Sequence, residues 1–390
     1  MTDEAEVTEE AEVTEVTEEV EVTEEPRVRP VYLRWTTLAP VLAILALLAT
    51  WGREGLGPVP LVLVAVLLGA AVLAAVQHAE IVAHRVGEPY GSLVLAVAVT
   101  IIEVGLIVML MVGGKGDTTT LARDTVFAAV MITCNGILGI CLLAGSLRHG
   151  LVVFNKEGTG GALATVATLA TVCLVLPTFT TSHPGPEFST SQLTFAAVAS
   201  LMLYVLFVLT QTRRHREFFL PIDKHGELLK DDEGHHPPPG SSWQLSVGLL
   251  LVSLVAVVGL AKILSPAIGS AVSAVGLPPS FVGVVIAILV LAPETLAAVN
   301  AARRNRVQIS LNLALGSAMA SIGLTIPALA VATIWLDGPL LLGLGPTQMV
   351  LLAITVIVGM LTVVPGRATR LQGGVHLVLL AAYIFLAANP

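Results

Sequence analysis

The chain has 390 residues, 55% of them hydrophobic and 12% charged, with a mean hydropathy of +0.87. Soluble domains carry about 25% charged residues, so the composition excludes an ordinary soluble enzyme, a fibrous protein and a nucleic-acid binder. The net charge of −8 belongs to a tail: residues 1–26 hold 12 acidic residues and no Lys or Arg, which leaves 16 acidic against 20 basic residues in the remainder.

In chain order, residues 1–30 repeat the phrase EVTE. Such sequence buries too little apolar surface to offset chain entropy, and it reads as an acidic disordered tail. No basic n-region precedes the first apolar stretch, so no cleavable signal peptide is expected. Eleven apolar spans follow, near 35–51, 58–77, 90–112, 123–146, 161–181, 192–211, 243–264, 278–301, 307–334, 341–364 and 371–388. Each approaches or exceeds the roughly 20 residues of helix that cross a bilayer. The expected fold is therefore an all-α integral membrane protein of about 11 transmembrane helices. Cys134, Cys141 and Cys173 fall inside spans without a CxxC pair and read as small packing residues.

Sorting the 20 Lys and Arg into alternate loops puts 16 on one side and 4 on the other. By the positive-inside rule the N-terminus is cytoplasmic and the C-terminus is outside. The longest loop, 212–242, is then cytoplasmic. It contains His215, His225, His235 and His236 with Asp231, Asp232 and Glu233, and it reads as a solvated linker rather than a metal site.

The loop separates two sets of five spans, 58–211 and 243–390, with 31–57 as an additional first helix. VFAAVMITCNGILGICLL (126–143) lies against QISLNLALGSAMASIGLT (308–325) at a constant offset of 182, which sets Asn135 opposite Ser317, Gly136 opposite Ala318 and Gly139 opposite Ser321. In each half the preceding span holds one glutamate, Glu103 or Glu294. Five is odd, so the second set enters the membrane from the opposite face. Inverted repeats are a transporter architecture with a site near the bilayer midplane. Each glutamate lies about nine residues, or roughly 14 Å, from an end of its span, on opposite sides, so the two share one depth.

A charge at the centre of a membrane helix costs about 2.5–3.5 kcal/mol on insertion scales and usually marks function. Two such carboxyls can be neutralised by two protons or by one divalent cation, which is the logic of an antiporter. Oxygen ligands suit hard cations, and Asn135, Ser317 and Thr100 are candidate donors beside Glu103 and Glu294. Pro293 frees a helix carbonyl one turn before Glu294. Asn312, five residues before Ser317, should face partly away. His78, Glu80, His84 and Glu88 form a polar cluster at the cytoplasmic mouth of the third span. It reads either as a proton or cation antechamber or as a hydrogen-bonded loop fixing the Pro89–Gly91 turn.

These residues resemble the calcium/cation antiporter superfamily, and more closely its ChaA-type bacterial branch. The resemblance rests on HAEIVAHRVGEPYGSLVLAVAVTIIEVGLIVML (78–110), on LAPETLAAVNAARRNRVQISLNLALGSAMASIGLTIP (291–327) and, less specifically, on HREFFLP (215–221). It implies exchange of cytoplasmic Ca²⁺ for external protons by alternating access, or Na⁺(K⁺)/H⁺ exchange at the same site. The central acids would be Glu103 and Glu294, with Asn135 and Ser317 as polar partners. The chain departs from the family in one respect: Thr100-Ile-Ile precedes Glu103 and Ala292-Pro293 precedes Glu294, where many relatives carry Gly-Asn. No HExxH metal motif, nucleophile elbow or P-loop appears. The expected partners are the lipid bilayer, cations and protons, with no nucleic acid, no ATP and no cofactor.

Overall fold

The computed structural model describes residues 34–53, 55–87, 90–113, 118–222, 227–228, 242–335 and 338–390. The acidic tail, Glu88 and most of the central loop, with His225, Asp231, Asp232, Glu233, His235 and His236, lie outside the described residues.

Eleven helices occur among them: α1 (Trp35–Thr50), α2 (Pro58–Val86), α3 (Tyr90–Gly113), α4 (Leu121–His149), α5 (Lys156–Thr178), α6 (Thr190–Arg214), α7 (Trp243–Ala274), α8 (Phe281–Arg303), α9 (Val307–Ala332), α10 (Pro346–Val363) and α11 (Arg370–Ala388). All but the shorter α1 are long and apolar enough to span a bilayer. Two expected ends move. α2 and α7 each continue about nine residues beyond the expected 77 and 264. Hydropathy falls at Gln77, but QHAEIVAHRV is good helix sequence. The helix therefore runs on and keeps its backbone groups paired, as a membrane requires.

The loops sort onto two faces. At one, Val152–Val153 (β1) pairs antiparallel with Arg367–Ala368 (β2), and His149 Nε2 lies 3.0 Å from the Arg303 carbonyl oxygen. At the other, the Leu341 amide donates to the Thr119 carbonyl and that of Gly343 to the Pro186 carbonyl, while the Lys262 ammonium reaches back over the Trp51 ring at 5.6 Å. The first face carries the arginine-rich helix ends. Helix direction thus alternates as expected, and the chain forms a first helix followed by two inverted five-helix sets.

Two apolar clusters build the interior. One joins α1, α2, α3, α7 and the buried side of α8. The other centres on α4 and α9, with α5, α6, α8, α10 and α11 around them. α4 is the axis of the second: 83% of its most apolar window is buried, against 17% for α11, which leaves α11 facing lipid. Lipid supplies no hydrophobic drive between helices, so close packing does the work. A Cβ on Gly283 of α8 would sit 2.7 Å from the Asp124 carbonyl carbon and Thr125 nitrogen of α4. One on Gly373 of α11 would sit 2.9 Å from the Gly139 carbonyl oxygen. Both pairs therefore approach backbone to backbone.

Cys134, Cys141 and Cys173 are free and buried, in keeping with packing roles.

Candidate cation and proton site

Glu103 stands near the middle of the 24-residue α3 and Glu294 near the middle of the 23-residue α8. The helices run in opposite directions, and both carboxyls stand well inside them. The Glu103 carboxyl also lies within electrostatic reach of Glu294.

Glu103 is only 2% exposed. Its Oε2 accepts from the Ser321 hydroxyl at 3.0 Å and the Thr325 hydroxyl at 3.2 Å, both on α9. Its Oε1 is buried with no partner. Glu294 is half-buried, and its Oε2 is likewise buried without a partner. A buried polar atom left unpaired costs about 1–3 kcal/mol. Two such atoms, one on each inward carboxyl, identify a place that wants a proton, a cation or water. Among the described residues no group of three or more His, Cys, Asp or Glu is placed to hold a metal ion. A cation bound beside either carboxyl would need hydroxyls, carbonyls and water to complete its shell.

The candidate donors do not all converge. Thr100 is buried one turn before Glu103, and its hydroxyl donates to the Ala96 carbonyl of its own helix at 2.8 Å. Ser317 lies one turn before Ser321, and it is Ser321 and Thr325 that reach Glu103. Asn135 is turned elsewhere. Its Nδ2 donates to the Thr355 hydroxyl of α10 at 2.9 Å, and its Oδ1 accepts from His376 Nδ1 of α11 at 3.1 Å. Because Oδ1 only accepts, Nδ1 of His376 carries hydrogen; Nε2 lies 3.1 Å from the Thr362 hydroxyl. This closed polar network sits on a π-helical stretch of α4, Ile132–Ile137. By contrast α3 and α8 pass their glutamates without a break, Pro293 included. Among the described helices the irregularities fall elsewhere: in this stretch of α4, in π-helical turns of α5 and α6, and in a break of α9 at Leu324, between Ser321 and Thr325.

Asn312 faces away, as its spacing implied. Its Nδ2 donates to the Phe219 carbonyl at 2.6 Å and its Oδ1 accepts from Gln308 at 2.8 Å, which ties the root of the central loop to α9. The HREFFLP stretch is therefore docked, with Phe219 edge-on to Phe207 at 5.5 Å.

The polar cluster divides. His78 is buried, with Nε2 at 2.9 Å from the Thr36 carbonyl oxygen, so it fastens α2 to α1. Glu80 and His84 lie exposed on another side of α2, with Glu80 within electrostatic reach of Glu294. Glu88 lies outside the described residues. Residues 78–86 are helix, which corrects the loop alternative for this stretch.

Sequence reasoning missed Ser321, Thr325 and His376. The hydroxyls at 317, 321 and 325 recur every four residues, a stripe visible in GSAMASIGLT. His376 is an ionisable group well inside a span, which by itself marks a candidate.

This is the architecture of an inverted-repeat cation transporter, and comparison with known proteins places it. The profile of the sodium/calcium exchanger protein family matches residues 56–213 and 245–388, and the chain belongs to that family. It is 46% identical over 329 residues to the putative ionic transporter y4hA of Sinorhizobium fredii, covering 83% of this chain and 87% of that one. It is 34% identical over 349 residues to the sodium-potassium/proton antiporter ChaA of Escherichia coli, covering 88% and 93%. Among solved structures, native YfkE superposes with a TM-score of 0.65 at 17% identity, covering 91% of this chain and 99% of that chain. The protein is thus a multi-pass membrane transporter of the cation exchanger family, not an enzyme.

Proposed function

We propose that the protein is a proton-coupled antiporter that exports Ca²⁺ from the cytoplasm in exchange for external protons. The observation that carries this reading is the pair of mid-membrane carboxyls, each with one buried, unpartnered oxygen. Two protons or one Ca²⁺ neutralise the pair equally, so each load excludes the other at the same site. Residues 58–211 and 243–390 form the two repeats, in line with the two blocks of the family match. The arginine-rich face is cytoplasmic by the positive-inside rule. Glu80 and His84 then line the cytoplasmic approach to Glu294.

A second reading, Na⁺(K⁺)/H⁺ exchange, is favoured by the 34% identity to a sodium-potassium/proton antiporter. The residues before Glu103, Thr100-Ile-Ile, also offer no amide ligand for a divalent cation. The deciding experiment uses acidified everted vesicles and adds Ca²⁺, Na⁺, K⁺ and Mg²⁺ in turn. Collapse of the proton gradient by micromolar Ca²⁺ supports the first reading. A response confined to millimolar Na⁺ or K⁺ supports the second. No response to any of them overturns both.

A further inference from the structure

A cavity of about 290 Å³ opens on the face opposite the arginine-rich one. It lies between the last turn of α3, at Met111 and Val112, and the end of α9, at Leu329 and Thr333 just past it; Thr118, Thr119, Trp335, Gly338, Pro339 and Leu340 also line it. The same two helices meet lower down, where Ser321 and Thr325 of α9 hold Glu103 of α3. Along α9, across its break at Leu324, the order is Ser321, Thr325, Leu329 and, just past its end, Thr333, four residues apart at each step. The first two touch the carboxyl and the last two line the cavity. Met111 is eight residues beyond Glu103, so the cavity floor stands roughly 12 Å from the carboxyl along the helix axis. Between the two levels Ile107 of α3 and Leu329 of α9 belong to one apolar cluster and are closed to solvent, 0% and 1% exposed.

We infer that this cavity is the mouth of the ion path to Glu103 on the face opposite the arginine-rich one, and that Leu329 is the gating residue between them. The chemistry fits protons and partly hydrated cations. The described walls offer hydroxyls of Thr118, Thr119 and Thr333, and none of the described lining residues carries a charge. Leu329 is the single apolar step in an otherwise hydroxyl-bearing row, and its side chain excludes the water that would otherwise connect mouth and carboxyl. A one-turn plug of this kind gates by wetting and dewetting. The inference rests on Glu103 as a transport carboxyl and adds where its ion leaves the membrane.

The test uses the full chain in vesicles of known orientation. Thr333→Cys is treated with a charged, membrane-impermeant thiosulfonate, the native cysteines being buried. Labelling from the face opposite the arginine-rich one should cut exchange by about tenfold or more, while the same reagent from the arginine-rich face, or on the unaltered chain, leaves it unchanged. Complete labelling with full exchange, or no labelling from that face, overturns the path. Leu329→Ser supplies an independent reading: it should give a proton leak in the absence of any exchanged cation. A proton-tight Leu329→Ser vesicle with normal exchange overturns the gate. Glu103→Gln separates the two levels, because full exchange by that variant sinks the carboxyl assignment itself, whereas its inactivity with an unresponsive Thr333→Cys sinks only the path.

Discussion

Glu103 and Glu294 occupy equivalent places in the two repeats, yet their surroundings differ. Glu103 is 2% exposed and held by two hydroxyls of α9. Glu294 is half-buried and feels the carboxylate of Glu80 instead. The offset of 182 shows why the symmetry breaks: the positions on α4 that match Ser321 and Thr325 are Gly139 and Leu143. On α4 that turn is spent on packing, since a Cβ on Gly139 would meet the Gly373 carbonyl oxygen and the His376 Cβ at 3.1 Å. The repeat fixes where a carboxyl stands in the membrane. The neighbouring helix decides whether hydroxyls clamp it.

The sharpest way to break this comparison is to neutralise each acid. Glu103→Gln and Glu294→Gln should each abolish exchange while membrane insertion is retained, measured as vesicle proton release alongside protein yield; full transport by either variant would remove it from the site. A smaller effect is expected from the clamp. A hydrogen bond to a charged group contributes about 1.5–3 kcal/mol, so Ser321→Ala with Thr325→Ala should slow exchange by roughly ten- to a hundredfold and shift its pH profile. The same truncation at Ser317 should do less than either, a ranking that rate measurements on the three variants will check.

The polar network on α4 predicts an effect of a different kind. His376→Leu leaves the Asn135 amide oxygen and the Thr362 hydroxyl short of a partner, at about 1–3 kcal/mol for each buried group. The melting temperature in detergent should fall, and His376→Gln, which can still donate to Asn135, should recover part of the loss. The smallest effect belongs to the tail: removal of residues 1–26 should leave the exchange rate unchanged, and a large loss of rate would give the tail a role in transport.

Much of this was legible in the sequence because a bilayer imposes strict rules. Apolar length, the distribution of arginines and the requirement that every backbone group be paired give the helices, their directions and the odd number that inverts the second repeat. The mid-span acids stand out because charge is costly there. Asn312 was read as turned aside from its spacing alone, and its bond to the Phe219 carbonyl agrees. Asn135 and Ser317 were chosen by repeat alignment, which matches positions along a helix. Alignment does not say which neighbour a side chain meets.

That choice is tertiary. α4 is wrapped on nearly all sides, and the partners nearest Asn135 are Thr355 and His376, more than 200 residues away in the chain. α9 faces α3 where its hydroxyl stripe runs, so Ser321 and Thr325 find Glu103 from 218 and 222 residues away. The continuation of α2 past Gln77 is likewise decided by packing and backbone pairing rather than by hydropathy. The sequence by itself determined a membrane bundle of inverted repeats with one acid near the middle of a helix in each, because solvent and symmetry dictate those. The tertiary structure alone decided which hydroxyls serve which acid and where the path beyond Glu103 is closed, because both depend on the facing surfaces of helices distant in the chain.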